Sequence, residues 1–393
     1  METYYSYTGF TLYKGDSMSV LENLSNNVDV IFADPPYFLS KGFTIRTKGR
    51  VKCFDKGDWD KARSMPEINE FNMKWLSLCR NVLKEDGTIW VSGTYHNIYS
   101  VANCMVELGY KILNIIVWNK PDAPLTLSDA HFNFSAEYII WARKSKEKRH
   151  YFNNELMKAI NGGKRMSDVW NIPTTGFWEK TCGKHPTQKP LRLLYRIILA
   201  STKSGDTILD PFAGSCTTGI AANLLQRNFI GIDQCEEFLQ LGVRRRMELE
   251  NKSLFDKYLR KISETPNDLM VMVNHCRNDL RLMMIEKGIC YLRAGDSKGS
   301  LLVTQGFERL QYVLLHTNGD NCQLFRLKTQ GHFQIWTRET LEQNGFTPKH
   351  APYYVVLHFD NKPVKIKNLP NLKEYLNTYR AKIRPLSDFI GIK

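Results

Sequence analysis

The segment from Thr207 to Asp233 narrows the possible folds most. Thr207 to Leu209 reads as a short strand, Leu209-Asp-Pro-Phe-Ala-Gly-Ser-Cys-Thr-Thr-Gly219 as a loop of small residues, Thr217 to Gln226 as a helix, and Phe229 to Ile232 as a second strand. Strand, tight loop, helix and strand make a βαβ unit, which requires a parallel sheet covered by helices. In such a loop the chain can approach a bound molecule closely while helix N-terminal amides point outward. Asp233 closes the second strand about 20 residues past Gly214, the spacing at which an acid accepts both hydroxyls of a ribose.

Neither GxGxxG nor a P-loop Gly-Lys-Ser/Thr is present, so the loop is built for neither a nicotinamide dinucleotide nor a nucleoside triphosphate. An adenosine-bearing ligand without phosphates remains, and S-adenosylmethionine fits. Asp210, Phe212, Gly214, Ser215, Thr217, Thr218 and Asp233 are its candidate contacts. Taken alone, the loop is equally a tight turn.

A second feature gives the loop its chemistry. The apolar run Asp29 to Ala33 stops at Asp34-Pro35-Pro36-Tyr37, where proline can neither donate to a ladder nor continue a strand. The tetrapeptide therefore sits at a strand's C-terminal edge. Methylating an exocyclic amine is difficult because its lone pair is delocalised into the ring. The Asp34 carboxylate and the Pro35 carbonyl can hold the amino hydrogens, Pro35 and Pro36 make the corner rigid, and Tyr37 offers a ring on which an extruded base can stack. The reaction requires neither a metal nor a covalent nucleophile.

The rest of the chain alternates. Ile68, Phe71, Trp75, Leu78 and Val82 predict a helix ended by Gly87, followed by a strand over Thr88 to Ser92. Ile98 to Leu108 and Leu191 to Thr202 read as helices, Lys111 to Trp118 and Glu137 to Ala142 as strands, and Glu236 to Glu264 as a long helix broken by Thr265-Pro266. Short β-rich runs follow (Tyr312 to His316, Phe333 to Thr337, Tyr353 to Phe359), which places a domain boundary near 265. The chain has 393 residues, 42% of them hydrophobic and 24% charged, which suits about two globular domains. With no run of ~18 apolar residues and no signal-peptide pattern in METYYSYTGF, a cytoplasmic protein is expected. Nine cysteines without a CxxC pair support neither a disulfide framework nor a zinc site.

Phe32-Ala-Asp-Pro-Pro-Tyr-Phe-Leu-Ser40, Asp55-Lys-Gly-Asp-Trp-Asp60, Ser92-Gly-Thr-Tyr-His-Asn-Ile-Tyr-Ser100 and Gly183-Lys-His-Pro-Thr-Gln-Lys-Pro190 together resemble the β-class, circularly permuted DNA amino-methyltransferases, in which the catalytic half precedes the cofactor half. Within that class the motifs look most like the DPPY-type adenine-N6 methylases of the DpnA and HinfI/GANTC groups, over about residues 8 to 262. The resemblance implies an α/β, Rossmann-like, seven-stranded S-adenosylmethionine-dependent methyltransferase fold, acting by base flipping and in-line transfer. It also implies roles for Asp16 in Lys14-Gly-Asp-Ser17, and for His185, Thr187, Gln188 and Lys189, around the donor's methionine and adenine parts. Cys216 departs from the pattern, since the family usually has glycine there; with no partnered histidine in the sequence it does not read as a nucleophile.

The net charge of +14 calls for a polyanionic partner. Its excess sits in residues 143 to 189, with 11 bases against 4 acids, and in 266 to 393, with 18 against 11. The first segment lies between the two halves, where the family carries its target-recognition region. It interleaves Tyr151, Phe152, Trp170, Phe177 and Trp178 with Lys164, Arg165, Lys180 and Lys184, suited to phosphate contact and base stacking. The same aromatics would also serve as a small core, and the charges as solvated surface.

The sequence thus divides into a methyltransferase domain over 1–265 and a smaller β-rich α+β module over 266–393, with a basic cluster at Lys362, Lys365 and Lys367. Clamping duplex DNA and oligomerisation are both open for that module, as are a homodimer and a cognate restriction endonuclease acting on the same site. The rival activities are cytosine-N4 methylation, RNA methylation, and DNA-binding regulation with the cofactor as a mere ligand.

Overall fold

The computed structural model describes residues 2–25, 27–38, 43–47, 50–54, 64–125, 130–251, 253–254, 270–294, 310–317, 320–328, 333–348, 351–364 and 383–385. They form two compact units, one of residues 1–153 and 167–245, the other of 154–166 and 246–393. The division falls inside a helix, twenty residues before the Pro266 break, and assigns Lys164 and Arg165 to the second unit. The breaker marks where a helix must end; packing decides where a unit ends.

In chain order the first unit contains β1 (Thr3–Tyr7), β2 (Phe10–Lys14), α1 (Ser17–Leu21), β3 (Val28–Ala33) and a two-stranded ribbon of β4 (Phe43–Thr47) and β5 (Arg50–Phe54). Next come α2 (Met65–Val82), β6 (Leu83–Gly93), α3 (Ile98–Glu107), β7 (Lys111–Asn119) and β8 (Ala136–Arg143). Beyond α4 (Asn154–Ile160), which belongs to the second unit, it continues with β9 (Val169–Asn171), α5 (Leu191–Ser201), β10 (Thr207–Asp210), α6 (Thr217–Leu224), β11 (Asn228–Asp233) and most of α7 (Glu236–Asn251).

The strand order is β1-β2-β11-β10-β3-β6-β8-β7-β9. Seven central strands, β2 through β7 in that order, make the expected sheet. The two outer strands extend it to nine, β1 as a hairpin partner of β2 and β9 parallel to β7. β2, β11, β10, β3 and β6 run parallel, and β8 is antiparallel to both its neighbours.

The central strands are apolar on both faces, as helix-covered parallel strands must be: Val30, Ile31, Phe32 and Ala33 in β3, and Ile208 and Leu209 in β10, are buried. The helix α2 presents Ile68, Asn72, Trp75, Leu76, Cys79 and Val82 inward at 3- and 4-residue steps. Its buried Asn72 is satisfied by side chains: it donates to Asn97 Oδ1 (2.7 Å) and Ser100 Oγ (2.9 Å) and accepts from Trp75 Nε1 (3.0 Å).

Gly87 does not end α2. The helix stops at Val82 and β6 follows at once, with Gly87 inside the strand. A Cβ there would lie 2.7 Å from Leu83 Cγ and 3.0 Å from the Asp29 carbonyl oxygen, so this glycine answers to strand packing.

From β10 the chain continues to β11 on one side, and from β3 to β6 on the other. β10 and β3 are neighbours, so the strand order reverses between them, and the crevice beyond their carboxyl ends is where open α/β sheets bind ligands. Asp34 follows β3 and Asp210 ends β10.

The second unit has its own seven-stranded sheet. With α8 (Asn278–Lys287) and α9 (Arg338–Gln343), its strands are β12 (Met270–His275), β13 (Ile289–Arg293), β14 (Leu310–Thr317), β15 (Asp320–Leu327), β16 (Gln334–Thr337), β17 (Tyr353–Val364) and β18 (Ile383–Pro385). They are ordered β13-β17-β15-β14-β12-β18, with β16 also on β17. Lys362 is exposed; Lys365 and Lys367 lie outside the described residues, as do Asp55 to Asp60.

Candidate active site

Beyond Ala33 the backbone turns through Asp34-Pro-Pro-Tyr37 into Phe38, whose φ of 58° is left-handed and unusual for a side chain of that size. Phe38 is held there edge-on against Phe71, ring centroids 5.6 Å apart. The Asp34 carboxylate accepts three hydrogen bonds: Oδ1 from Ser92 Oγ (2.5 Å) and the Tyr37 hydroxyl (2.7 Å), and Oδ2 from Lys189 Nζ (2.5 Å), which leaves a lone pair on Oδ2. Burial alone would raise this carboxyl; the Lys189 charge and the three hydrogen bonds outweigh it and hold Asp34 below the usual range.

Tyr37 is only 6% exposed. Burial, reinforced by Asp34 and Glu137, pushes its phenol well above the ordinary value, so it remains a hydrogen-bond donor. The expected open stacking face is thus a buried ring at the cavity wall, with the Lys189 ammonium 5.3 Å from its centroid.

Asp34, Pro35, Pro36 and Tyr37 border a cavity of about 250 Å³, and Asp16, Phe212 and Asp233 border the same space. Asp233 accepts the Gly214 amide on Oδ2 and the Cys235 amide on Oδ1, both at 2.8 Å, and burial raises its pKa. The loop amide of Gly214 therefore positions the acid rather than pointing at a ligand. Asp16 caps the short α1, accepting from Ser19 N at 3.0 Å, and the Ser17 hydroxyl donates to the Pro211 carbonyl, binding this segment to the cofactor loop. Gly214 has φ +48°, and a Cβ there would lie 3.0 Å from His185 Nε2. His185 and Thr187 also reach the cavity, with His185 Nδ1 accepting the Thr187 amide at 3.3 Å.

Other candidates serve the loop itself. Asp210 accepts from Thr218 Oγ1 (2.5 Å) and the Phe212 amide (3.0 Å), and burial pushes it up to about 7. Ser215 and Thr217 are anchored by buried Arg245, which donates to the Ser215 carbonyl (2.6 Å) and Thr217 Oγ1 (2.7 Å). Asp210, Ser215, Thr217 and Thr218 border a second, much smaller cavity, of about 30 Å³, which shares Asp34, His185, Thr187, Phe212 and Gly214 with the main one. Gln188 gives Nε2 to the Glu179 carbonyl (2.9 Å), and its buried Oε1 has no partner among the described residues. Lys189, expected near the donor, faces Asp34. Lys184 is exposed and Lys180 half-buried, while Lys164 and Arg165 are exposed on the other unit.

Cys216 sits buried in the left-handed region (φ 56°, ψ 31°), which explains why glycine suits this position. Burial raises its thiol, against a nucleophilic role. Among the described residues no group of three or more His, Cys, Asp or Glu is arranged to hold a metal ion.

Sequence reasoning missed Ser92, Asn97, Glu137 and Arg245, all polar groups on buried elements. Ser92 and Asn97 lie within the Ser92–Ser100 motif, the one signal that could have found them. It also missed an exposed aromatic group at the same sheet edge. Tyr95 contacts His96 (3.8 Å) and stacks on Phe134 (5.5 Å, 18°), which meets His131 (5.0 Å).

A switch-point crevice that sets an ionised Asp-Pro-Pro-Tyr corner and a strand-end acid on one cavity defines an S-adenosylmethionine-dependent DNA amino-methyltransferase. The chain belongs to the DNA methylase family, whose profile matches residues 28–244. It is 49% identical over 255 residues to the Type II methyltransferase M2.MboI of Moraxella bovis, covering 64% of this chain and 93% of that one. It is 51% identical over 252 residues to M2.DpnII of Streptococcus pneumoniae, covering 64% and 94%. The crystal structure of the M1.HpyAVI–SAM complex is similar at 27% identity, covering 60% of this chain and 98% of that chain, with a TM-score of 0.47. More than a third of this chain thus has no counterpart in the M2.MboI alignment.

Proposed function

We propose that the chain methylates the N6 amine of adenine within a specific sequence of duplex DNA, with S-adenosylmethionine in the cavity bordered by Asp16, Phe212 and Asp233. The observation that carries this reading is that Asp34 and Asp233 face one space from the ends of different strands, β3 and β11. Asp233 supplies the acid for a ribose, Phe212 an apolar wall, and Asp16 an acid for the donor's ammonium. When bound, the donor supplies a methyl already activated by its sulfonium.

The chain's own residues do the rest. Asp34 and the Pro35 carbonyl hold the amino hydrogens and localise the lone pair on nitrogen, and Tyr37 supports the ring. The corner fixes the amine before it reacts, so most of the rate gain comes from alignment.

Asp34→Ala is expected to abolish transfer while calorimetry shows unchanged donor affinity, and Asp233→Ala to weaken the donor by about 1–3 kcal/mol with Asp34 intact. Retained turnover in the first variant would defeat the catalytic assignment. Base-resolved sequencing of DNA from an expressing host separates N6-methyladenine from N4-methylcytosine and reports the target sequence.

The basic surfaces bind the phosphate backbone in this reading. Neutralising Lys164 and Arg165 together lowers the salt slope of DNA binding by about 0.9 per lost phosphate contact, whereas an unchanged slope makes them ordinary surface. The second unit is read as a duplex clamp and the protein as cytoplasmic. No helix among the described residues is long and apolar enough to cross a membrane. A nuclease acting on the same site is the partner that the Type II names of the relatives suggest.

A further inference from the structure

The loop after β6 and the loop before β8 leave the sheet side by side, because the two strands are antiparallel neighbours with Gly93 opposite Tyr138. Across the two loops the rings form one column: His96 on Tyr95 (3.8 Å between centroids), Tyr95 on Phe134 (5.5 Å, 18° between planes) and Phe134 on His131 (5.0 Å). All four are exposed, and Phe132 beside them is almost wholly so. Leaving these rings in water forfeits the burial that large apolar side chains usually gain, and a contiguous exposed patch of this kind marks a binding surface.

Both loops are tied to the catalytic corner. Ser92, before the column, donates to Asp34 Oδ1 at 2.5 Å, and Asn97, after it, donates to the Pro36 carbonyl at 3.1 Å, so Tyr95 and His96 sit between two residues that hold the corner. On the other loop Glu137, three residues beyond Phe134, lies 3.3 Å from the Tyr37 hydroxyl. Three residues of chain reach at most about 11 Å, which fixes the column close to Asp34. Yet none of its rings borders the cavity that Asp34 lines. A ligand on the column is therefore next to the reacting base without being that base.

The chemistry of the two loops selects the ligand. Residues 93–97 (Gly-Thr-Tyr-His-Asn) and 130–135 (Ala-His-Phe-Asn-Phe-Ser) contain no lysine, arginine, aspartate or glutamate, in a chain of net charge +14. A surface for phosphates would carry cations here; a surface of uncharged rings suits the flat faces of bases.

Building on the amino-methyltransferase reading above, we propose that the column is a second nucleobase subsite, which stacks a base that loses its neighbour when the adenine is extruded. Extrusion breaks one base pair and the stacking on both sides of the target, and that cost must be met elsewhere. Two kinds of base are left with an uncovered surface: the partner-strand base opposite the adenine, and a neighbour of the adenine in its own strand. Both present the same π-face, and an aromatic ring stacks on either without reading its identity. The nearly parallel Tyr95 and Phe134 set the plane of that stack, and Phe132 adds the largest uncovered ring.

The test is a cycle between ring and base, read as binding of the full chain to synthetic cognate duplex in the presence of S-adenosylhomocysteine, with thermal melting as the control for folding. The duplexes are intact, abasic opposite the target adenine, or abasic at either neighbour of the adenine in its own strand. Tyr95→Ala and Phe134→Ala are each expected to weaken binding to intact duplex at least fivefold, with the salt slope of wild type. On the duplex that lacks the stacked base the same substitutions should cost twofold or less, and the position where the loss disappears identifies that base. With 2-aminopurine in place of the target adenine, the fluorescence gain on binding should fall at least threefold in Tyr95→Ala. Tyr95→Phe, which keeps the ring, should match wild type within twofold, whereas Tyr95→Leu should behave as Tyr95→Ala. That pair also covers the case in which alanine disturbs the loop.

Losses that stay equal on all the duplexes, an unchanged 2-aminopurine signal, or a leucine variant as good as wild type would each overturn the subsite. So would a salt slope lowered by about 0.9, the mark of a lost phosphate contact. Methyl transfer by the wild-type chain is measured separately. Failure of the amino-methyltransferase reading then shows as binding without transfer, and failure of the column as a flat cycle.

Discussion

Asn97 Nδ2 donates to the Pro36 carbonyl at 3.1 Å, while Asn97 Oδ1 accepts from Asn72 on α2 at 2.7 Å. The buried turn after β6 thereby fastens the catalytic corner to the helical layer. Removing the amide strands a buried donor on Asn72 and frees the proline corner, which only alignment makes useful. Asn97→Ala is expected to cost about 1–3 kcal/mol in urea unfolding and at least tenfold in kcat, with donor affinity within twofold. A stability loss without a kcat loss would show that the corner holds itself.

The aromatic group beside that turn makes a different demand. Tyr95 and Phe134 are 44% and 43% exposed, and Phe132 is 97% exposed, at the edge where the base must enter. Large exposed rings on a DNA enzyme suit stacking on unpaired bases, at about 1–3 kcal/mol each. Tyr95→Ala and Phe134→Ala should each raise KM for duplex DNA about 5- to 100-fold without altering donor binding or melting. Unchanged KM in both would leave these rings as surface.

Asp210 supplies a pH signature. Its folded pKa of about 7 lies above the unfolded value near 4, so it contributes fully below pH 4 and loses that contribution as pH rises to 7. Above the folded pKa the effect is level. Asp34 has the opposite sign, its depressed pKa favouring the fold at higher pH. Asp210→Asn should therefore gain on wild type by about 1–3 kcal/mol between pH 5 and 7.5 in urea unfolding, and by nothing more up to pH 9. A difference independent of pH would remove Asp210 from this role.

Cys216 and Gly242 make a tight pair. A Cβ on Gly242 would lie 2.3 Å from Cys216 Sγ and 3.0 Å from its Cβ. Gly242→Ala is expected to destabilise by about 1–3 kcal/mol despite alanine's better helix propensity. In a Cys216→Gly background, where the thiol and its left-handed strain are both gone, most of that loss should vanish. An equal loss in both backgrounds would place the clash elsewhere.

Where sequence reasoning succeeded and failed has physical reasons. The βαβ unit, the Asp-Pro-Pro-Tyr corner and Asp233 were legible because proline, small residues and strand-end acids impose local geometry whatever surrounds them. The bond between Lys189 and Asp34 was not legible, since only the fold brings residue 189 to residue 34. For Asp210, an acid after a strand does not reveal that Thr218 and its own loop bond to its oxygens. Gly87 looked like a helix stop because its steric reason, the backbone at Asp29, lies across the sheet. The edge strands β1 and β9 have no pattern of their own to count, and β9 is only three residues long.

The strand order also determines when the enzyme can exist during its synthesis. β2 and β3 follow one another in the chain but leave a gap two strands wide, which β11 and β10 fill from residues 207 to 233. At about 5–20 residues per second, a ribosome takes about 10–40 s to go from the end of β3 to the end of β11. Until then β3 lacks β10, its neighbour on one side of the sheet. A chain that ended before β10 would lack Phe212 and Asp233, and with them the wall of the cavity opposite Asp34.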